Sequence, residues 1–587
     1  MRAPEKTMGS LRHSNPQNPQ SSQHRANSDQ PALDSGSASD ELPESAPRLS
    51  ARTFLAVLAV CLIYFAQLFS LVGAGVQGQT IGAHFNDSSQ VVWFPGSIAI
   101  LTVVLSPIVS RAADYWGRKW LLVALTLIGA VGSAVIARAT SINMAIAGFC
   151  LVGAAFGAQP LLHTVASEVL PRRWRGWAQA CAIVTGSLGS LVGLFMGAAL
   201  NRNASPDSPG FRNYYYAAMA WFSVSGLICA VVYHPPPLPS QLGLSSHRAR
   251  LAQLDWTGNF LFAAGLVLFS VGLSYSKNPY EWTDPRVSAT FAVGVALAIV
   301  LIVYETRWKR DGLFHHGLFS RNRNFGLACL AIFFEGLAFF AVNSYFSFEV
   351  SLLYTPSDTM LVAVRYSFKF IFTAIFGCVA GWASTRTRRV RWITVAGFLL
   401  LVVFFAGMAA SGRDSDHAVW GFGTMMGIGF GILLTTLIVV AQLSTPPELI
   451  SVASGLFISV RSLGGNVGLA VYNAVFNDAM SRLEQNVREV VVPDGLPASS
   501  IPLFVAALVN RNETALRGIQ GATPEIIESG TNVLLDTYVV AFRNVWITAG
   551  SFIAFAALAS LFIIEEEKEF NMLIDNPIEK RGQVDSS

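Results

Sequence analysis

Ser110-Arg111-Ala112-Ala113-Asp114-Tyr115-Trp116-Gly117-Arg118-Lys119 separates two apolar runs, residues 91–110 and 120–137. A helix needs about 20 mostly apolar residues to cross a hydrocarbon core of about 30 Å. Both runs are of that order, and the stretch between them is too short to hold a domain. It is therefore a tight hydrophilic connection between two membrane helices. Its one acid can accept from the neighbouring arginine or cap a helix start, and Gly117 supplies the turn before the Arg118-Lys119 pair.

The same pattern continues outward in both directions. Runs of spanning length lie near 53–76, 91–110, 120–137, 142–162, 178–200, 214–233, 257–275, 287–304, 325–348, 360–383, 392–409, 419–442, 450–476 and 545–564. The count is fourteen, and the class expected is an all-α integral membrane protein. Composition agrees, since only 13% of the 587 residues are charged against about 25% in soluble globular proteins. A net charge of +4 without a basic, aromatic-interleaved stripe gives no sign of a nucleic-acid partner. Cys61, Cys150, Cys181, Cys229, Cys329 and Cys378 each sit inside an apolar run, with no CxxC pair or Cys/His cluster. No metal site and no cofactor is expected.

Residues 1–50 are rich in Ser, Gln, Asn and Pro and lack the apolar core of a signal peptide, so a disordered tail is expected there. With that tail in the cytosol, the short inner loops hold seventeen Lys and Arg residues and the short outer loops six. The bias places both tails in the cytosol. Three Asn-x-Ser/Thr acceptors, Asn86, Asn203 and Asn512, then all fall outside as glycosylation candidates. The outer loop 478–544 contains Ile501–Val509, apolar but too short to span, and a docked or interfacial helix is expected for it. Glu565, Glu566, Glu567 and Glu569 open an acidic cytosolic tail, 565–587, expected to lie in water.

The Ser110–Lys119 stretch resembles the loop signature of the major facilitator superfamily, with Ser110 in place of its first glycine. A weaker copy, Gly381-Trp382-Ala383-Ser384-Thr385-Arg386-Thr387-Arg388-Arg389, follows 271 residues later with Thr385 where the acid would be. The resemblance implies two six-helix bundles, 51–234 and 311–564, separated by a linker, 235–310, that carries spans seven and eight. Leu254-Asp255-Trp256-Thr257-Gly258, Gly265–Phe269, Trp282 and Glu305 are similar to the linker of fungal fourteen-span drug:proton antiporters. Phe457–Gly465 and Ala470–Phe476 are similar to the branch of trichothecene efflux pumps and siderophore transporters. Two departures stand out: Phe149-Cys150-Leu151-Val152-Gly153 lacks the fourth-span arginine of many relatives, and Gly186, Gly189, Gly193 and Gly197 keep the fifth-span glycines without their proline. The resemblance also implies a cytosolic gate built from Asp114, Gly117, Arg118 and Lys119 and from Glu168 beside Arg172 and Arg175.

Ionisable groups at mid-membrane cost about 2.5 kcal/mol or more on insertion scales and mark functional sites by default. Glu335, Lys369 and Arg461 lie at similar depth in spans nine, ten and thirteen. Arg365 sits one turn from Lys369 on the same face and can snorkel outward. The expectation is that Glu335 pairs with Lys369 and switches by protonation, with Lys369 and Arg461 holding acidic or hydroxylated substrate groups. The first half offers only neutral groups at depth, such as Gln67, Gln159 and His163. No enzyme motif is present. The function expected is proton-coupled efflux of a toxin or secondary metabolite by a monomer in the plasma membrane, or else in a vacuolar or vesicle membrane. The alternative is uptake of siderophore-bound iron.

Overall fold

The computed structural model describes residues 49–87, 90–202, 209–236, 247–252, 254–275, 281–309, 312, 315–320, 323–355 and 359–577. Asn203 and nearly all of the tail 1–50 lie outside the described residues. The chain's contacts divide at Leu42, and the unit Pro43–Ser587 holds every element named below.

Fourteen long helices follow one another, and no strand occurs among the described residues. They are α1 (Ala51–Val76), α2 (Trp93–Trp116), α3 (Arg118–Ala137), α4 (Ile142–Glu168), α5 (Arg175–Arg202), α6 (Gly210–Val232) and α7 (Trp256–Tyr275). The second seven are α8 (Pro285–Arg307), α9 (Asn324–Tyr354), α10 (Thr359–Thr387), α11 (Arg391–Ala410), α12 (Asp416–Leu443), α13 (Ile450–Met480) and α14 (Pro524–Ser560). Thirteen of them are long and apolar enough to cross a membrane. The exception to the expected fourteen is α13. Its 31 residues give ample length, but Arg461, Asn466, Asn473 and several serines and glycines dilute its apolar character.

Helix ends follow local chemistry. Gly117 takes φ +92° between α2 and α3, a conformation that side chains resist, and its N–H closes α2 onto the Ala113 carbonyl at 3.0 Å. Thr523 caps α14 by accepting from the Ile526 N–H, and Pro524 fills the first turn where no donor is needed. That helix starts about twenty residues before the expected span, so the stretch 478–544 ends in helix rather than in loop. Three short helices occupy it, among them Ile501–Val509. Phe504 of that helix packs on Gly530 of α14, which is the docked arrangement expected of a segment too short to span.

α1 packs on α5 and α6, α3 on α4 and α6, and α2 on α4. Among the last six helices α9 packs on α13 and α14, α10 on α12, and α11 on α12 and α14. The two sets meet along α5 with α10 and along α2 with α13. α7 and α8 pack mainly on each other at the periphery: 17% of the α8 apolar window is buried by protein against 78% for α12. The seams are narrow because small residues face each other. A side chain on Gly455 would meet the Ser110 Cβ at 2.7 Å and the Ser106 carbonyl at 3.0 Å, and one on Gly381 would meet the Gly176 carbonyl at 2.7 Å. The close approach that the resemblance assigns to the missing glycine at 110 is thus supplied from the partner helix. Hydrogen bonds cross the same seam, from Ser451 to the Ser110 carbonyl at 3.1 Å and from Ser459 to the Val103 carbonyl at 2.8 Å.

Candidate functional site

A cavity lies between the first six and the last six helices. Tyr64, Thr102, Gln159, Ser187 and Ser190 line it from one side, and Phe339, Lys369, Phe370, Phe430 and Arg461 from the other. Among the described residues no Asp, Glu, Lys or Arg of the first six helices lines it. Of the neutral groups expected at depth only Gln159 lines it; Gln67 donates to the Ala155 carbonyl at 2.9 Å and His163 meets Gln179 at 2.7 Å, both outside the lining.

Glu335 is fully buried on α9, and its partner is Arg461 on α13. The guanidinium Nε and Nη2 donate to the two carboxylate oxygens at 2.6 and 3.0 Å. The expected Glu335–Lys369 pair is therefore corrected. α9 and α13 approach closely because Gly336 lies against the Arg461 carbonyl and Gly464 against that of Phe333. The planar fork of Arg matches both oxygens at once, while the Lys369 ammonium is turned to other partners.

Lys369 on α10 is also buried, yet it has no ion pair among the described residues. Its Nζ donates to Asn343 Oδ1 at 2.5 Å and to the Tyr366 hydroxyl at 3.1 Å. Four rings surround it, with centroids at 4.5 Å (Phe339), 5.1 Å (Tyr366), 5.2 Å (Phe370) and 5.5 Å (Phe430). Ring faces attract a cation, and these rings with the two oxygens are the partners that an ammonium here has among the described residues. The sequence reading did not single out Asn343. It stands eight residues after Glu335 on α9, where the helix widens into a π-turn over Val342–Phe346, a distortion frequent at functional sites.

Arg365 does not reach the cavity. It pairs with Asp416 at the start of α12 at 2.5 Å and lies 4.9 Å from the Trp420 ring centroid. This is the snorkelling geometry, and it removes Arg365 from the cavity set.

The expected gate residues are divided between two clusters at the other end. Arg118 binds Glu168 through both Nη atoms and lies 3.7 Å from Asp114. Glu168 thus belongs with Arg118, fifty positions away, rather than with its sequence neighbours. Lys119 stays out of this triad, its ammonium 5.2 Å from the Trp120 ring centroid. Arg172 and Arg175 pair instead with Asp575, and Arg172 also with Glu569. The acidic stretch expected to lie in water is largely engaged. Glu565 accepts from the backbone N–H groups of Val390 and Arg391 at 2.9 and 3.1 Å, and Glu567 from Arg389 at 2.7 Å. That hydrogen bond and the charge of Glu567 push the Arg389 guanidinium above its usual range. The only advance signal for these contacts was sign: an acidic run in a chain whose neighbouring loops are basic.

Glu349 on α9 is a further buried acid outside the expected set, and it accepts from the Trp546 indole at 2.7 Å. Of the glycosylation candidates, Asn86 and Asn512 are exposed, the latter capping a short helix by accepting from the Ala515 N–H.

The sequence profile of the Major Facilitator Superfamily matches residues 58–469. The MFS-type efflux transporter pyiT of Pyricularia grisea is 25% identical over 488 residues, 82% of this chain and 76% of that protein. The trichothecene efflux pump TRI12 of Fusarium sporotrichioides is 23% identical over 538 residues, 89% and 87% of the two chains. Among solved structures, a bacterial homologue of the human lysosomal transporter Spinster, inward-facing and unoccupied, aligns with a TM-score of 0.55 at 13% identity. It covers 90% of this chain and 99% of that one. The proton:xylose symporter XylE gives 0.52 at 10% identity, over 89% and 98%. At such identities the structural likeness is one of fold. The family follows from the profile, which spans well over half of the chain: this multi-pass membrane protein belongs to the Major Facilitator Superfamily.

Proposed function

We propose that the protein is a secondary carrier that exports a small organic molecule, with α1–α6 and α9–α14 as two bundles that rock about the cavity and α7 and α8 as a peripheral linker. The observation that carries this reading is the cavity between the two sets of helices, with one basic side chain, Lys369, that pairs with no carboxylate among the described residues. A buried charge without a counter-ion is costly, and cargo bearing a single negative charge and a flat apolar body would satisfy both the ammonium and its rings. The names of its relatives, efflux transporters and a trichothecene pump, fit export of a secondary metabolite or toxin. They give no support to uptake of a ferric siderophore.

Glu335 is the proposed proton-coupling group. Protonation removes the charge that holds Arg461, and the freed guanidinium then joins Lys369 at the cargo. The loop charge bias supports cytosolic tails; the location proposed is the plasma membrane and the working unit a monomer. Exposed Asn86 and Asn512 are the outward glycosylation positions. Purified protein in lipid vesicles tests the reading with a panel of fluorescent aryl carboxylates and their primary amides. Saturable counterflow of the acids is expected, with the amides carried at least tenfold less well. Flux of every probe that rises linearly without saturation would rule out a carrier.

A further inference from the structure

The stretch 565–576 does more than end the chain's last long helix. It runs from the loop before α11 to the loop before α5, and so touches both sets of six helices. On the α11 side, Glu565 occupies the helix start through the Val390 and Arg391 N–H groups, where the helix dipole favours an anion. Asn324 at the start of α9 exchanges two hydrogen bonds of 2.8 Å with the backbone of Ile564. Phe570 is buried in the core of the last six helices.

On the α5 side, Asp575 is only 4% exposed. It accepts from Arg172 Nε at 3.0 Å and Nη2 at 2.8 Å, and from Arg175 Nη2. Glu569 takes Arg172 Nη1 at 2.6 Å. Backbone bonds add to these: the N–H groups of Arg172 and Arg173 donate to the Leu573 and Asn571 carbonyls at 3.0 and 2.9 Å, and that of Asn576 to the Glu168 carbonyl at 3.1 Å. Beneath the tail, Arg175 also reaches across to the Gln442 carbonyl of α12 at 2.9 Å, and Ser167 to the Gln442 side chain at 2.6 Å.

We propose that residues 565–576 act as a clasp, anchored on the last six helices by Glu565 and Phe570 and latched onto the first six by Asp575 and Glu569. The clasp holds the basic ends of the two bundles together. Rocking that opens the cavity toward this end must pull Asp575 off Arg172 and Arg175, so the latch biases the carrier toward the state closed on this side. Surface ion pairs contribute little each, but this latch is part-buried and multiply hydrogen-bonded, and charge-assisted bonds of that kind are about twice as strong as neutral ones. The clasp rests on the carrier reading only for the opening motion assigned to it. It needs no cargo to be tested.

Spin labels on cysteines at Trp120 (inner end of α3) and Trp392 (start of α11), both exposed, report the separation of the two ends in the full-length, otherwise cysteine-free protein in lipid nanodiscs. Wild type is expected to give one short distance. Asp575→Asn combined with Glu569→Gln should raise the population of a longer distance several-fold, while Asp575→Glu, which keeps the charge, stays close to wild type. A distribution for the double variant that superimposes on wild type would overturn the clasp. So would an Asp575→Glu variant that opens as far as the double variant, because charge would then not be what holds the latch. Absence of saturable counterflow in vesicles would instead sink the carrier reading and leave the distance result standing.

Discussion

Glu335 offers both carboxylate oxygens to Arg461, at 2.6 and 3.0 Å, and keeps no contact with solvent. The pair joins α9 to α13 at the level of the cavity. Removing one member leaves the other charged and buried, which costs about 3–5 kcal/mol, whereas replacing both by apolar groups of similar volume is often neutral. Glu335→Ala should therefore unfold at markedly lower temperature than Glu335→Met with Arg461→Met, as thermal unfolding in detergent will show. The coupling role is separate: Glu335→Gln is expected to keep counterflow but lose accumulation driven by a proton gradient, and wild-type efficiency under that gradient would exclude it.

Lys369→Met keeps most of the side-chain volume among the four rings and removes the charge. Stability should hold or rise, since a buried cation is lost with no anion stranded by the change. Affinity for aryl carboxylates should fall at least tenfold, about 1.4 kcal/mol, with the amides little affected. Tryptophan quenching titrations of paired acids and amides measure the difference.

Trp546→Phe removes the indole N–H that Glu349 accepts. A buried acceptor left without its donor costs roughly 1–3 kcal/mol. Glu349→Gln with Trp546 intact retains an acceptor oxygen and should cost less. Equal losses from the two substitutions would mean that the hydrogen bond is not what stabilises this contact.

Gly455→Val places side-chain atoms where Ser110 and the Ser106 carbonyl already lie. Overpacking of this kind costs typically 1–3 kcal/mol, and here the strain is relieved if α2 and α13 separate. The Trp120–Trp392 label distance should lengthen, as it does for the clasp variants. A destabilised protein with an unchanged distance would place the strain inside one bundle instead.

The helices were legible because length and hydropathy are local. The exception at α14 has a plain cause: Glu525, Glu528, Asp536 and Arg543 interrupt the apolar run, yet backbone hydrogen bonding continues through them outside the apolar segment. Depth in the membrane was legible too, since 1.5 Å per residue places Glu335, Lys369 and Arg461 at one level. Azimuth was not. Which helix neighbours α9, and which way residue 369 points around α10, depend on packing between distant segments, and so the acid was matched to the wrong cation. The contacts of Asp575 with Arg172, 403 positions apart, were hidden for the same reason. Asn343 carries no charge and gave no signal until its contact with Lys369 was seen.

Among the described residues every formal charge lining the cavity belongs to the last six helices; Tyr64, Thr102, Gln159 and the serines opposite are neutral. A charge crossing the membrane field does work of about 2.3 kcal/mol per 100 mV, but a neutral wall swinging past a fixed one does almost none. Of the cavity's two walls, then, the last six helices alone carry charge through the field as they move, and the rest of the electrical work of a cycle is borne by what the cavity holds. Current across a planar bilayer, compared between wild type and Lys369→Met without cargo, would separate the charge moved by that wall from the charge moved by the contents.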